Sequence, residues 1–206
     1  PLLEIRLARD ESVILFDREE DPVLLATQII IEIIFTVPCE DQGVSMKWIH
    51  FRNNTARNGG AVAALLRESS ALTLKHTIFE GNIATASHGG AVSMSGAFMG
   101  ARIEDSEFYS NRVELGSGGG ISVQGNAGLR MKNIVAANNQ ALNGDGGFLF
   151  ARKADQLVLE NAIVQKCEAP QGGGGGLAVF ATRFALDDVN IQRCGAGQKG
   201  GGGLML

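Results

Sequence analysis

Residues 72–94, LTLKHTIFEGNIATASHGGAVSM, contain the pattern that decides the fold of this chain. The stretch ends in a glycine doublet followed by small and apolar residues, and similar doublets recur along the chain. They begin at Gly59, Gly89, Gly118, Gly146, Gly174 and Gly201, in steps of 30, 29, 28, 28 and 27 residues. A fixed period in this range indicates one supersecondary unit that stacks on copies of itself. We expect the glycines at a bend whose backbone angles or close packing exclude a Cβ atom.

The segments that precede the doublets keep a common register. Six eleven-residue stretches align without a gap: VSMKWIHFRNN, LTLKHTIFEGN, ARIEDSEFYSN, LRMKNIVAANN, LVLENAIVQKC and FALDDVNIQRC. Apolar and polar residues alternate in these stretches and again after the glycines, which indicates short strands, and no helical period is sustained. Three short strands in about 28 residues predict an all-β fold, a parallel β-helix solenoid of about six clear coils.

Stacking of the coils predicts structural roles for the repeated residues. Phe51, Phe79 and Phe108 should stack one above another and continue as Ala136, Val164 and Ile191. The aligned segments end at Asn54, Asn82, Asn111, Asn139, Cys167 and Cys194. Asparagine tolerates left-handed backbone conformations, and its amide can bond neighbouring backbone groups or the amide of the next coil. We therefore interpret the asparagines, phenylalanines and glycines as structural.

Composition places the chain in one domain and excludes some partners. Its 206 residues carry a net charge of −4 with both signs interspersed, which does not indicate a nucleic-acid partner. The hydrophobic run at residues 29–37 is too short to cross a bilayer, so no direct membrane insertion is expected. A single Trp and a single Tyr argue against an aromatic sugar-binding platform.

The chain divides into residues 1–43 and the repeats of residues 44–206. The first part lacks the doublet and the asparagine column, with two apolar stretches separated by charged turns at 9–11 and 17–21. It represents degenerate coils or an N-terminal cap, and we favour degenerate coils. The start at Pro1 and the end directly after GGGL predict a segment of a longer chain, because solenoids normally end in an atypical polar cap.

Cys167 and Cys194 occupy one column in adjacent coils. Strands of a sheet lie about 4.8 Å apart, within the Cα separation of roughly 4.4–6.8 Å that a disulfide accepts. A disulfide and a pair of buried free thiols both fit this placement. Cys39 has no visible partner, and no cysteine spacing indicates zinc.

The outward columns provide the candidates for chemistry. One column alternates in charge, and its neighbour is polar and turn-like, with Asp105 and Asp188 as members. These two carboxylates lie three coils apart, about 14 Å at the strand spacing of a sheet, beyond the roughly 5–9.5 Å of glycosidases. His50, His76 and His88 fall in different columns. We therefore predict no catalytic residue, cofactor or metal ligand.

The repeats resemble those of the polymorphic outer membrane protein family, whose signatures are GGA followed by Ile, Leu or Val, and FxxN. Residues 59–62 and 89–92 read GGAV, and FRNN, FEGN and FYSN match the second signature. The resemblance covers residues 44–206 and implies a right-handed parallel β-helix of the pectin-lyase-like fold. In that family such repeats form the passenger stalk of surface-exposed autotransporters, many of which are adhesins.

These observations lead to three functional expectations. The first is a non-enzymatic structural or adhesive segment of a large extracellular or cell-surface protein that contacts protein or glycan ligands. The second is a carbohydrate-active enzyme, a polysaccharide lyase or hydrolase, which the carboxylate spacing disfavours. The third is a scaffold subunit of a multiprotein assembly. The exposed edge of the last coil is expected to meet further coils or an assembly partner.

Overall fold

The computed structural model describes residues 3–7, 13–16, 31–34, 42–66, 70–97, 100–125, 128–197 and 200–206. All regular elements within these ranges are β-strands. No helix of the described residues is long and apolar enough to cross a membrane.

The strands follow the repeat along the chain. The N-terminal strands are β1 (Leu3–Leu7), β2 (Val13–Phe16) and β3 (Ile31–Ile34). The next eight are β4 (Gln42–Lys47), β5 (His50–Arg52), β6 (Thr55–Ala56), β7 (Val62–Leu66), β8 (Ser70–Lys75), β9 (Ile78–Glu80), β10 (Ile83–Ala84) and β11 (Val92–Gly96). The next five are β12 (Gly100–Tyr109), β13 (Arg112–Val113), β14 (Ile121–Gln124), β15 (Gly128–Ala137) and β16 (Gln140–Ala141). The last five are β17 (Leu149–Gln165), β18 (Glu168–Ala169), β19 (Leu177–Gln192), β20 (Gly195–Ala196) and β21 (Leu204–Met205).

Each coil stacks on the next through parallel strands in register, which confirms the predicted parallel β-helix. One column runs from β4 through β8, β12, β15 and β17 to β19, and a second begins at β3 and runs through β7 and β11. A separate sheet contains six two-residue strands, from β6 to β20. Six strands in one column are separated by five full turns, so the solenoid has about five turns. The expected six coils are slightly too many, because six doublets bound only five complete repeats.

The strands of each coil differ from the three short strands that the sequence predicts. The two-residue strands of the separate sheet form a further column that alternation could not indicate, because two residues have no period. The first two predicted strands merge in β12 and β15, and all three merge in β17 and β19. They merge because only one corner residue separates them: in β12 that residue is Asp105, and pairing with β15 passes from Glu104–Lys132 directly to Ser106–Ile134.

The core is a continuous set of stacked side chains inside the coil. The rings of Phe51, Phe79 and Phe108 form a phenylalanine stack with centroid spacings of 4.9 and 4.8 Å and nearly parallel planes. In register with Phe108 comes Ala136, followed by Val164 and Ile191, as predicted. The smaller Ala136 leaves space, and the ring of Phe148 lies 5.4 Å from that of Phe108.

The glycine doublets show both features that the sequence predicts, unusual backbone angles and packing too close for a Cβ atom. Gly89 has a φ of 71°, and a Cβ there would collide with the Val92 carbonyl oxygen. A Cβ on Gly90 would instead collide with the carbonyl oxygen of Gly119 in the next coil. The same left-handed conformation recurs at Gly59, Gly118, Gly146, Gly174 and Gly201. The first glycine of a doublet therefore makes the bend, and the second allows the coils to approach closely.

The N-terminal strands pair with the repeats in two ways. Strand β1 is antiparallel to both β2 and β4, whereas β3 is parallel to β7 and extends its column. The charged turns expected at 9–11 and 17–21, and Cys39, lie outside the described residues. The assignment of residues 1–43 to degenerate coils stays a prediction.

Candidate functional site

A buried asparagine ladder, formed by Asn54, Asn82, Asn111 and Asn139, joins consecutive coils. The Asn82 backbone N–H and side-chain Nδ2 both donate to Asn111 Oδ1, at 3.0 and 2.9 Å. The Nδ2 group of Asn82 also donates to the Phe51 carbonyl (3.0 Å). Asn111 repeats the same three bonds to Asn139 and to the Phe79 carbonyl. The amides of Asn82 and Asn111 are thus bonded both to the neighbouring coils and to the backbone beside the phenylalanine stack.

The asparagine ladder does not supply the left-handed backbone that its residue type suggested. The residues with positive φ are the ones directly before it: Asn53, Gly81, Ser110 and Asn138, followed by Lys166 and Arg193 before the cysteines. Simple alternation after buried Phe51 would place Asn53 inside. The left-handed bend at Asn53 shifts the phase by one residue, so that Asn54 is buried instead.

A second left-handed column forms an outward corner ladder, which consists of Trp48, His76, Asp105, Asn133, Asn161 and Asp188. The same phase shift operates here, because Met46 and Ile49 are buried while Trp48 between them is 63% exposed. The Trp48 ring stacks on the ring of His76 with a centroid distance of 3.9 Å. An exposed aromatic pair therefore lies at one end of a row of carboxylates and amides.

Hydrogen bonds connect the middle of the corner ladder. Asn161 Nδ2 donates to Asn133 Oδ1 (2.8 Å), and Asn133 Nδ2 donates to Asp105 Oδ1 (2.6 Å). The bond from Asn133 is the main reason why the pKa of Asp105 lies below its ordinary value. Burial opposes that shift, and the nearby positive groups of His76 and Lys75 add to it. The carboxylate form of Asp105 is therefore favoured.

The charged outward column is paired only in part. Lys75 Nζ lies 3.3 Å from Glu104 Oε2, as the alternation of charge predicts. Glu160, however, pairs with Arg130 at 2.8 Å, because that guanidinium reaches across from the neighbouring coil. These pairs are partly exposed, and pairs of this kind contribute little each.

The three histidines contact different partners. His50 Nε2 lies 3.2 Å from Glu80 Oε2, whereas His76 lies 3.8 Å from Asp105 Oδ2. His88 Nδ1 accepts the Ser117 N–H (3.0 Å), and burial lowers the pKa of its imidazole. In the part of the chain that the structure describes, no three His, Cys, Asp or Glu residues are grouped as metal ligands would be. Asp105 and Asp188 are separated by the coils of Asn133 and Asn161.

Cys167 and Cys194 continue the asparagine column as free thiols in the structure. Asn139 Nδ2 lies 3.9 Å from Cys167 Sγ, and the Cys167 N–H donates to Cys194 Sγ at 3.4 Å. Cys167 is fully buried, while Cys194 is partly exposed. The alternative, a disulfide between the two cysteines, stays a prediction.

Two features of the site were missed by sequence reasoning. Trp48 and His76 occupy the same position in consecutive repeats. The constant period of the repeat could therefore have indicated that their rings stack. Phe148 also enters the core at the coil where the phenylalanine stack changes to Ala136. A Cβ on Gly120 would collide with the Phe148 ring, so a glycine accompanies the large residue. Such paired size changes are visible in the sequence once the register is known.

Comparison with known proteins defines the class. A family model described as "Right handed beta helix region" matches residues 40–206. This chain belongs to that family, and its solenoid is right-handed.

A second comparison gives a relative among curated proteins. The "Probable autotransporter YfaL" of Escherichia coli (strain K12) is 35% identical to this chain over 99 residues. The match includes 44% of this chain and 8% of the relative, so the chain spans a small part of that protein's length. No solved structure matches the chain.

Proposed function

We propose that this chain is a non-enzymatic structural and adhesive β-helix segment of a large extracellular or cell-surface protein. The observation that carries the proposal is the unbroken stack, in which buried columns repeat from coil to coil while the outward side chains vary. A solenoid of this kind is stable through contacts between neighbouring repeats and presents a long surface. The similarity to part of a probable autotransporter supports a location at the cell surface.

The coils are, in this proposal, repeats of the polymorphic outer membrane protein type. The Phe and Asn of the FxxN signature are the two residues that stack in buried columns, as at Phe79 and Asn82. The doublet of the GGA signature makes the bend and permits close approach of the coils. The physical demands of stacking therefore coincide with the signature residues, which supports this assignment.

The corner ladder is the surface that we assign to ligand contacts. Trp48 presents a large exposed ring, and Asp105 and Asn133 provide hydrogen-bonding groups further along the same row. Exposed aromatic residues beside polar groups are enriched in contact surfaces. A single Trp argues against an extended sugar-binding platform, but it suffices for one contact point on a protein or a glycan.

Adhesion can be tested with beads that carry the purified chain. We expect retention on a mucin-coated or a collagen-coated surface, and loss of that retention in Trp48→Asn. Asparagine keeps the left-handed corner, since it occupies the same column at Asn133. Leu115→Ser is the matched control, because Leu115 is 65% exposed and belongs to no ladder. No retention on either surface, or equal loss in both variants, would contradict an adhesive role of this surface.

The location can be tested on cells that make the protein. A membrane-impermeant amine reagent should label lysines of this chain, such as Lys47 and Lys132, on intact cells. Labelling only after lysis would contradict a cell-surface location.

Incubation with polygalacturonate should release no unsaturated product, whereas steady product formation would favour the enzyme hypothesis.

A further inference from the structure

A third ladder of side chains joins the loops that precede the glycine doublets. His88 Nδ1 accepts the Ser117 N–H (3.0 Å), and Ser117 Oγ accepts the Asp145 N–H (3.0 Å). Asp145 Oδ1 in turn accepts the Gly173 N–H (2.9 Å). Each acceptor stands directly before a doublet, and each donor lies at the same position of the next coil. His88, Ser117 and Asp145 therefore form a loop ladder.

Two hydrogen bonds close the first joint of the loop ladder. The Gly89 N–H donates forward to the Ser117 carbonyl (3.0 Å), and the Ser117 N–H donates back to the His88 imidazole. Ser117 is buried, so its N–H depends on this side chain for a partner. A buried backbone donor without a partner is destabilising. The state of the imidazole therefore decides whether the joint keeps both bonds.

His88 is the member of the loop ladder that a proton can switch near neutral pH, because it is an imidazole. A nitrogen that accepts an N–H carries no proton, so the bond from Ser117 requires the neutral tautomer with its proton on Nε2. A proton on Nδ1 would place two donors against each other, and the bond would be lost. The hydroxyl of Ser117 at the next joint undergoes no such change.

The surroundings of His88 also oppose a positive charge. The Gly59 N–H of the preceding coil donates to the His88 carbonyl (3.1 Å), and Gly116 of the following coil lies against the His88 backbone. Strand β17 adds the Phe150 ring, parallel to the imidazole at a centroid distance of 6.0 Å, and the Arg152 guanidinium. Burial is the main reason why the pKa of His88 lies below its ordinary value, and the positive charge of Arg152 adds to it.

The neighbouring loops carry the other charged side chains of this region. Glu114 pairs with Arg112 (3.1 Å), and Asp145 accepts a backbone N–H of the next coil. Both carboxylates thus bond to groups other than the imidazole. Arg57, on the loop of the preceding coil, is a further positive group. The charges of these loops therefore do not favour a protonated His88.

We propose that His88 is an acid-sensitive joint of the solenoid, at which proton uptake by the imidazole breaks the bond to Ser117 and loosens the loop contact between two coils. The neutral imidazole stabilises the folded chain above the ordinary histidine pKa of about 6.5. This contribution is lost as the pH falls through the lower folded value. The bond from the Gly89 N–H to the Ser117 carbonyl does not depend on the imidazole, so the loosening is local.

Hydrogen exchange of the Ser117 amide, followed by NMR, tests the joint in the unsubstituted chain. The pH series runs from about 7.5 to about 5, the range in which histidine changes its charge. Protection of this amide, corrected for the intrinsic pH dependence of exchange, should fall at least about tenfold as the His88 ring titrates. The Asp145 amide, which bonds to the Ser117 hydroxyl, should keep its protection. Constant protection of Ser117 while His88 titrates, or an imidazole that stays neutral until the whole chain unfolds, would overturn the proposal.

Two variants separate the proton from the fold. His88→Asn keeps an acceptor oxygen but cannot take up the proton, and asparagine already stands before the first doublet at Asn58. Protection of the Ser117 amide should therefore become independent of pH in this variant. His50→Asn, at an exposed histidine that pairs with Glu80, is the matched control and should keep the acid loss of the parent. The same acid loss in His88→Asn as in the parent would overturn the assignment to His88.

Discussion

Single residues in left-handed conformation determine which side chains face inward along each coil. Alternation alone would bury Trp48 after Met46, and Asn53 after Phe51, but a positive φ at each of these residues shifts the phase. The left-handed conformation costs most residues roughly 1–2 kcal/mol, and Asn, Asp and Gly tolerate it best. The corner ladder follows this preference at Asp105 and Asn133, whereas Trp48 departs from it. An exposed aromatic residue in this conformation is consistent with a contact role.

The buried asparagine ladder predicts a large cost for the loss of one amide. In Asn111→Ala the Asn82 N–H, the Asn82 amide and the Phe79 carbonyl lose their bonds to this side chain. Unsatisfied buried groups cost about 1–3 kcal/mol each, so we expect the free energy of unfolding to fall by at least about 2 kcal/mol. Urea unfolding measures this change. The control is Asn161→Gly, which removes an exposed amide of the corner ladder at a residue with left-handed backbone. An equal loss of unfolding free energy in both variants would contradict the prediction.

The corner ladder predicts a pH dependence at Asp105. Because the folded chain favours the carboxylate, its contribution to stability is present above the ordinary carboxyl pKa and is lost as the pH falls through the lower folded value. Asn133→Gly removes the main cause and keeps the left-handed backbone, so the pKa of Asp105 should rise toward its ordinary value. Carbon NMR of the carboxyl group across a pH series measures it. An unchanged titration in the variant would show that the hydrogen bond has no effect.

At the scale of the element, stacking of like on like joins one strand to the next. The three rings of the phenylalanine stack lie at the spacing of the coils, and each is almost fully buried. Where the stack ends at Ala136, Phe148, which directly precedes β17, fills the space. A strand of this solenoid is therefore specified together with the strands above and below it.

Removal of the central ring tests this dependence. Phe79→Ala should lower the free energy of unfolding by about 3–5 kcal/mol, because Phe79 has a ring on either side and the coils cannot close the cavity. Phe184→Ala, at a ring that is 41% exposed, is the control and should cost much less. Thermal unfolding of the two variants provides the comparison, and a midpoint of Phe79→Ala equal to that of the parent would refute the stack.

At the scale of the whole molecule, the period of the sequence determines the architecture and its register. The doublets and the aligned segments predicted the parallel stacking, the phenylalanine stack and the shared column of Cys167 and Cys194. The two-residue strands were not predictable by alternation, and the left-handed bends were assigned one residue too late. The partner of Glu160 depends on the reach of the Arg130 side chain, which spacing does not indicate. Periodicity thus specifies backbone stacking, whereas surface contacts depend on side-chain conformation.

The most direct test of a rigid stack is hydrogen exchange at the asparagine side chains, followed by NMR. The Nδ2 protons of Asn82 and Asn111 are buried and doubly bonded, whereas those of Asn133 and Asn161 lie on the exposed corner ladder. If coil-to-coil stacking holds the molecule together, the buried pair should exchange at least about a hundredfold more slowly than the exposed pair. Equal exchange at all four side chains would mean that the coils open freely, which would contradict the rigid surface on which the proposed function depends.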